Sequence, residues 1–248
     1  MKALQAEISA NFALFSTQWS AELQHVRTEL AQRDMDFCAS YERLTSLGAW
    51  SSVLEGYMSE GSIAFFREAQ NDALVSHVMA RLGSWRPALN ALRSMMENVV
   101  VSAFYMDHPV ELAMWSEGRY RIGFRAGLDY LVTHPFLHPF PEAATGIATL
   151  RKQYALTSRA VHASGSKFRM TGSGGETMLW SSNAVRLSQW LTAERLAVAG
   201  VNTLLIALFR SLIGGASHRG LRKALSFAIG EERRSAIKSQ FGVVLFAK

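Results

Sequence analysis

An arginine and a histidine close a predicted helix in a pattern that suits acid–base chemistry. Arg159 and His162 are three residues apart in Ser158-Arg159-Ala160-Val161-His162-Ala163-Ser164, so on a helix they share a face. A histidine titrates near neutrality and can act as a general base, and an arginine can bind a phosphate or stabilise its developing charge. The alternative is structural, since a histidine at a helix C-terminus interacts favourably with the dipole and caps free carbonyls.

A second candidate group lies in an apolar stretch. Arg93 and Glu97 are four residues apart and share a helical face, while most of their neighbours are apolar. Buried charges must be paired or perform a function, because removing an ion from water is costly. Arg93 and Glu97 are therefore candidate catalytic residues. The alternatives are an internal salt bridge that fixes helix register, or an exposed pair on the helix surface.

A third group alternates arginines with aromatic residues. The stretch Arg119-Tyr120-Arg121-Ile122-Gly123-Phe124-Arg125 places guanidinium groups beside rings, which is typical of sites that hold single-stranded RNA or DNA. On a helix, however, Tyr120 and Phe124 would lie on one side, so a core face with solvated arginines is an alternative. The candidate nucleic-acid-binding residues here are Arg119, Arg121 and Arg125.

The net charge of +6 is concentrated at the C-terminal end of the chain. From Arg210 to Lys248 the sequence has eight Lys or Arg and two Glu, so the first 209 residues are neutral overall. A basic segment favours binding to nucleic acid or to an acidic partner. Its candidate nucleic-acid-binding residues are Arg219, Arg222, Lys223, Arg233 and Arg234.

Helical periodicity accounts for most of the elements that position these residues. Apolar residues at three- and four-residue steps predict a long amphipathic helix from about Leu4 to Tyr41, suited to pairing with another helix. Further helices are predicted from Pro87 to Asp107, from Arg119 to Val132 and from Glu142 to about Ala163. Strand patterns are essentially absent. We predict an all-α fold: a helical bundle with a long N-terminal amphipathic helix and a basic helical tail.

Three segments follow from this organisation. Residues 1–60 are predicted to form the amphipathic helix and a Ser/Gly-rich linker with a short helix at 44–61, residues 61–215 the helical bundle, and residues 216–248 the basic tail. Three prolines within 135–141 predict an extended loop, and the glycines of 165–183 a long loop. Asn183 is predicted to cap a long helix that runs to about Leu212.

The sequence also argues against several classes of function. A lone Cys38 excludes an internal disulfide and a multi-cysteine zinc site, so we expect a cytoplasmic protein. The most apolar stretch, Leu196 to Phe209, is too short to span a bilayer, and we expect no membrane partner. Pro135 prevents His134 and His138 from forming a helical metal clamp, and no cofactor motif occurs. We expect neither a metal nor a cofactor.

This sequence resembles the HEPN superfamily of prokaryotic helical domains in two features. One is the Arg93/Glu97 pair in one helix, and the other is the Ser-Arg-x-x-His-x-Ser element at the end of a later helix. The resemblance covers about Arg86 to Gly214. Many members are metal-independent ribonucleases of toxin–antitoxin and anti-phage systems. The resemblance implies that His162 activates a ribose 2′-hydroxyl and that Arg159 stabilises the phosphorane, usually across a dimer interface. The two residues are closer in sequence than in the superfamily's catalytic pattern, which fits a non-catalytic relative equally well.

Two functions are therefore expected. One is a HEPN-like RNA-binding or ribonuclease effector of a prokaryotic defence or toxin system. The other is a non-enzymatic helical subunit or adaptor of a larger nucleic-acid-binding complex. In both, RNA or another nucleic acid is the expected ligand, and the N-terminal helix is expected to mediate a homodimer or to bind a protein partner.

Overall fold

The computed structural model describes residues 1–162, 168–171, 178–214 and 218–246. These residues form twelve α-helices and no β-strand, so the predicted all-α fold is confirmed. The helices are α1 (Lys2–Ala31), α2 (Asp34–Leu54), α3 (Glu60–Arg81), α4 (Trp85–Asp107), α5 (Pro109–Ser116), α6 (Phe124–Thr133), α7 (Glu142–Thr145), α8 (Ile147–Val161), α9 (Ala184–Leu208), α10 (Arg210–Ile213), α11 (Arg219–Ala228) and α12 (Glu231–Phe241). Within the predicted loop at 165–183, residues 165–167 and 172–177 lie outside the described residues.

Helix α4 occupies the centre of the bundle. It packs against α3 along much of its length and also contacts α6, α8 and α9. Its apolar side chains point in several directions and are almost fully buried, including Leu92, Met95, Met96 and Val100. A helix that is apolar on most of its surface is stable only when neighbours cover it on most sides, which explains this central position.

Helix α2 continues to Leu54, so most of the segment predicted as a linker with a short helix, 44–61, is helical. Leu44, Leu47, Trp50 and Leu54 recur at helical spacing and are buried in the main core. The serines that suggested a linker are accommodated within the helix. The Ser46 hydroxyl, for example, donates to the Arg43 carbonyl at 2.7 Å and so needs no water.

Other helix boundaries also differ from the prediction. The first helix ends at Ala31 rather than near Tyr41, and the chain from 119 to 123 is not helical. Gly118, at φ 72°, turns the chain at the end of α5 before that extended stretch. The helix predicted from Glu142 is interrupted at Gly146, whose φ is 84° and where a Cβ would lie 2.5 Å from the Gly200 carbonyl oxygen.

The start of α9 matches the prediction, but its end does not. The Asn183 side chain accepts hydrogen bonds from the backbone amides of Val185 at 2.9 Å and Arg186 at 3.1 Å, as an N-cap does. The helix ends at Leu208, and a separate short turn, α10, follows it. By length and composition α9 could cross a membrane, but most of its apolar stretch is buried inside the structure, as in the core helix of a globular fold.

The basic tail packs on the body of the protein. Helix α11 contacts α2 and α9, and α12 also contacts α9. Side chains from Leu221 to Leu245 join the same hydrophobic core as Val26 and Leu30 of α1. Residues from all three predicted segments therefore contribute to one core.

Candidate functional site

Arg93, Glu97 and Tyr154 form a compact hydrogen-bonded group. The Arg93 Nη2 donates to Glu97 Oε1 at 2.7 Å and to the Tyr154 hydroxyl at 2.6 Å. That hydroxyl donates in turn to Glu97 Oε1 at 2.6 Å. The Arg93 guanidinium also lies over the Tyr154 ring, 4.8 Å from its centroid. The predicted Arg93–Glu97 pair is thus present, and Tyr154 is added to it.

Antiparallel packing of α4 and α8 brings these residues together. Arg86 Nη2 donates to the Val161 carbonyl at 2.6 Å, and seven residues further along α4 Arg93 bonds to Tyr154, seven residues earlier on α8. Within α4 itself, a spacing of four residues brings Arg93 and Glu97 onto one face. The geometry of the group follows from one helix repeat and one pair of packed helices.

A cleft of about 570 Å³ opens beside this group. We call it the Arg93 cleft. Its lining combines polar side chains with aromatic rings, namely Arg93, Ser94, Glu97, Asn98, Arg121, Phe65, Tyr105, Trp115, Phe124 and Tyr154. The Phe124 ring stacks on the Tyr154 ring with centroids 3.9 Å apart, and Trp115 meets Phe65 edge-on at 4.7 Å. Such a lining suits a ligand that has both a planar ring and hydrogen-bonding groups.

Two buried polar groups of the cleft have no hydrogen-bond partner. The Tyr105 hydroxyl belongs to a side chain that is 1% exposed, and the Arg93 Nε is equally screened from water. The Ile122 backbone is close enough to influence the Tyr105 pKa but makes no hydrogen bond of ordinary geometry with the hydroxyl. Buried donors without partners are rare and costly, and both atoms are screened from a molecule in the cleft, so a ligand would contact them only after a local rearrangement.

The phenols of the cleft stay protonated at neutral pH. Burial is the main cause that raises the pKa of Tyr105. Burial also raises the pKa of Tyr154, and its hydrogen bond to the Glu97 carboxylate raises that pKa further. The Tyr105 hydroxyl therefore keeps its proton, and the Tyr154 hydroxyl keeps the proton that it donates to Glu97. Asn98 is held by a hydrogen bond from its Nδ2 to Asp72 Oδ2 at 2.8 Å.

The three arginines predicted to bind nucleic acid occupy different positions around the cleft. Arg121 is exposed, lines the cleft and has no ion-pair partner among the described residues. Arg119 is also exposed, but its Nε donates to Glu117 Oε2 at 2.6 Å. Arg125 lies at a neighbouring hollow that shares the Phe124 and Tyr154 rings with the cleft. The stretch 119–123 is not helical, but the alternative of a core face with solvated arginines holds in part, because Ile122 and Phe124 are buried while the three arginines are exposed.

Arg159 and His162 lie away from the Arg93 cleft. Both are exposed at the C-terminal end of α8, where the His162 amide donates to the Ser158 carbonyl at 3.2 Å. His162 is eight residues beyond Tyr154, which corresponds to about 12 Å along the helix axis. The structure therefore does not bring the two predicted catalytic pairs into one site.

Several basic residues of the tail contact Phe246, near the end of the chain. The guanidinium groups of Arg219 and Arg222 lie over the Phe246 ring, at 5.7 and 5.5 Å from its centroid. Arg234 donates to the carbonyls of Ser226 at 2.7 Å and Phe246 at 3.1 Å. Arg233 reaches the Ala143 carbonyl at 3.4 Å, and Lys223 is exposed. These contacts are structural, and a role of the tail in binding nucleic acid stays a prediction.

A second arginine–glutamate pair lies deeper in the bundle. Arg43 of α2 donates from Nε at 2.9 Å and from Nη2 at 2.6 Å to Oε2 of Glu194 on α9. Burial raises the pKa of Glu194 to about 7, although Arg43 acts in the opposite direction. Nearby, the Ser40 hydroxyl lies 3.1 Å from His77 Nδ1. The sequence analysis missed this pair.

The rings of the cleft were missed as well. Tyr154 follows Glu97 by 57 residues, and no spacing in the sequence connects them. In the sequence, Tyr105 and Trp115 look like ordinary aromatic core residues. Only their position in the lining of the cleft distinguishes them. No group of three or more His, Cys, Asp or Glu side chains in the described part of the chain is arranged to hold a metal ion.

Comparison with known proteins adds no assignment. The chain matches no family model, and neither the curated proteins nor the solved structures include a significant match.

Proposed function

We propose that this protein is a HEPN-like RNA-binding effector whose Arg93 cleft binds a nucleotide of single-stranded RNA. The observation that carries the proposal is a cleft in which aromatic rings lie beside two guanidinium groups, those of Arg93 and the exposed Arg121. Such donors favour a ligand rich in acceptor atoms. A nucleotide supplies phosphate oxygens and base acceptors together with a ring that can stack.

Charge and shape favour a single strand. Arg121 adds an exposed positive charge at the cleft, and Trp115 and Phe124 add ring surface. Stacking of a base on an aromatic side chain requires that the base be unpaired, which is the usual state of sequence-recognised RNA. We place the protein in the cytoplasm, where such RNA is available.

The test is RNA binding by the full chain with Arg121→Ala and Arg119→Ala compared. Both substitutions remove one positive charge from the same short segment, but only Arg121 lines the cleft. We expect Arg121→Ala to weaken binding of a fluorescein-labelled single-stranded oligoribonucleotide about tenfold in anisotropy titrations, and Arg119→Ala to have a much smaller effect. Equal losses for both variants would mean that the segment contributes only general charge.

Cleavage of the bound RNA is a separate part of the proposal. His162 would take the proton of a ribose 2′-hydroxyl as the 2′-oxygen attacks the phosphorus, and Arg159 would stabilise the phosphorane. The bond from phosphorus to the 5′-oxygen breaks, and that oxygen leaves with a proton from solvent. Both residues are exposed and lie about 8 Å (Arg159) and about 12 Å (His162) along α8 from Tyr154, so the same strand could contact both places.

Substitution of His162 tests the cleavage step. Because the reaction uses no metal, cleavage by the native chain should persist with a chelator present. We expect His162→Ala to abolish it while binding at the Arg93 cleft is unchanged. Native cleavage that is absent, or that is unchanged in His162→Ala, would reject the catalytic part and leave the binding part standing.

The second candidate function is a non-enzymatic subunit or adaptor of a nucleic-acid-binding complex. It is favoured by the large apolar side chains that α1 leaves exposed, since such surfaces mark sites of protein–protein contact. Under this alternative, Lys223→Ala, which removes an exposed charge of the tail and leaves its core side chains in place, weakens nucleic-acid binding and lowers its salt dependence. Native RNA cleavage that depends on His162 would decide for the first candidate.

A further inference from the structure

Helix α1 carries one apolar stripe of which only the C-terminal half is covered. Val26 and Leu30 are buried in the main core, and the Trp19 ring stacks on Trp180 with centroids 5.5 Å apart. Towards the N-terminus the same stripe continues without a partner among the described residues. Four large side chains of the stripe are exposed there: Leu4 by 59%, Ile8 by 51%, Phe12 by 68% and Phe15 by 52%.

We propose that a second copy of this chain covers the exposed half of the stripe, with the two α1 helices antiparallel. The buried half shows that this face already packs against protein, so the exposed half continues an interface that exists within the chain. The two halves have the same spacing and the same kinds of side chain, which fits one continuous helix-packing surface. The proposal is independent of the Arg93 cleft.

The charge pattern of α1 favours a like partner. From residue 3 to residue 21 the only charged side chain is Glu7. A partner selected by charge would need complementary groups to contact, and this face offers almost none. An amphipathic helix that lies on a membrane instead carries Lys and Arg on its polar face, whereas here that face holds Gln, Asn, Ser and Thr.

The other polar side chains of this segment are occupied within the helix. The hydroxyls of Ser9, Thr17 and Ser20 donate to the carbonyls of Gln5, Ala13 and Ser16 at 2.9–3.0 Å. They offer little hydrogen bonding to a partner. The contact must therefore be made by the apolar stripe, as in a helix pair.

An antiparallel pair centred near Ala10 covers all four exposed side chains. In that register Leu4 of one copy faces Phe15 of the other, and Ile8 faces Phe12. The four side chains expose on the order of 500 Å² per copy, and the flanking residues bring the total for two copies near the lower limit of about 1,200 Å² for a stable interface. The bodies then lie at opposite ends of the pair, where they do not collide.

The first experiment measures the oligomeric state of the full chain by sedimentation velocity at several concentrations. We expect a dimer for the native protein, a monomer for Phe12→Glu, and a dimer for Ala10→Glu, which places the same charge on the opposite face of the helix. Residue 12 is exposed in a single copy, so Phe12→Glu should have the melting temperature of the dissociated native chain and should lack the rise with protein concentration that dimer formation gives. A native chain that is monomeric at all concentrations would overturn the proposal.

The second experiment tests the orientation by disulfide formation in a Cys38→Ser background. Leu4→Cys and Phe15→Cys variants should cross-link when mixed and not when either is oxidised alone, since identical positions lie about 17 Å apart along an antiparallel pair. Cross-linking of each variant alone would indicate a parallel pair and overturn the stated geometry. Binding of a monomeric native chain to phosphatidylglycerol vesicles, lost in Phe12→Glu, would assign the stripe to a membrane instead.

Discussion

Two of the arginine–glutamate pairs in this protein, Arg93–Glu97 and Arg43–Glu194, lie in very different surroundings. Arg93 and Glu97 belong to one helix, are 27 and 28% exposed, and border a cleft. Arg43 and Glu194 are 151 residues apart in sequence and belong to different helices. Their side chains are 13 and 1% exposed, respectively. Each pair leaves one buried atom without a partner, namely Arg93 Nε in the first and Glu194 Oε1 in the second, and Arg43 directs two nitrogens to the other oxygen of Glu194.

The difference separates a pair that can serve a ligand from one that serves the fold. A partly exposed pair beside a cleft can exchange a contact with water for a contact with a ligand at little cost. A buried pair has no such freedom, because loss of either partner leaves a charge away from water. We therefore expect substitutions in the deeper pair to change stability, and substitutions in the Arg93 group to change binding.

The largest expected effect is the loss of stability in Arg43→Ala. At pH 8 the Glu194 carboxylate would be left buried without its partner, so the free energy of unfolding should fall by about 3 kcal/mol in urea denaturation. Arg33→Ala removes an exposed arginine paired with Asp36 and should cost less than about 1 kcal/mol. RNA affinity per folded molecule should be native in both variants. A cost for Arg43→Ala no larger than for Arg33→Ala would show that the burial of the pair is unimportant.

The second effect is a pH dependence of stability that comes from Glu194. Its pKa is about 7 in the folded chain and near 4.5 in the unfolded chain, so between these values the folded state retains a proton that the unfolded state loses. The free energy of unfolding should therefore fall as the pH rises from 4.5 to 7, by on the order of 2–3 kcal/mol.

Glu194→Gln isolates this contribution. His77 acts in the opposite direction, because burial lowers its pKa, but it is present in both proteins. The difference in unfolding free energy between native protein and variant should change with pH in the stated range. A difference that is constant from pH 4.5 to 7 would contradict the raised pKa.

The smallest stability effect is expected for Tyr154→Phe in the Arg93 group. The variant keeps the stack on Phe124 and removes only the hydroxyl, so unfolding free energy should change by about 1 kcal/mol or less. RNA binding should weaken severalfold, because Arg93 and Glu97 lose the contact that orients them. Native affinity together with a large loss of stability would reverse the roles that we give to the two pairs.

The same contrast explains what the sequence could predict. Arg93 and Glu97 were predicted because four residues on one helix suffice to join them, and the Asn183 cap because its partners are two and three residues away. Arg43 with Glu194, and Tyr154 with Glu97, depend on how distant helices pack, which periodicity does not encode. Helix α2 was missed because serines that bond to their own helix have the composition of a linker.

The central claim is that the Arg93 cleft binds single-stranded RNA. The most direct test is to cross-link RNA to the full chain with ultraviolet light and to identify the attached residues by mass spectrometry. We predict cross-links at the rings of the Arg93 cleft, above all at Trp115, which is the most exposed of them. Arg121→Ala should reduce their yield. Cross-links confined to the basic tail at 219–241, with none in the cleft, would contradict the account.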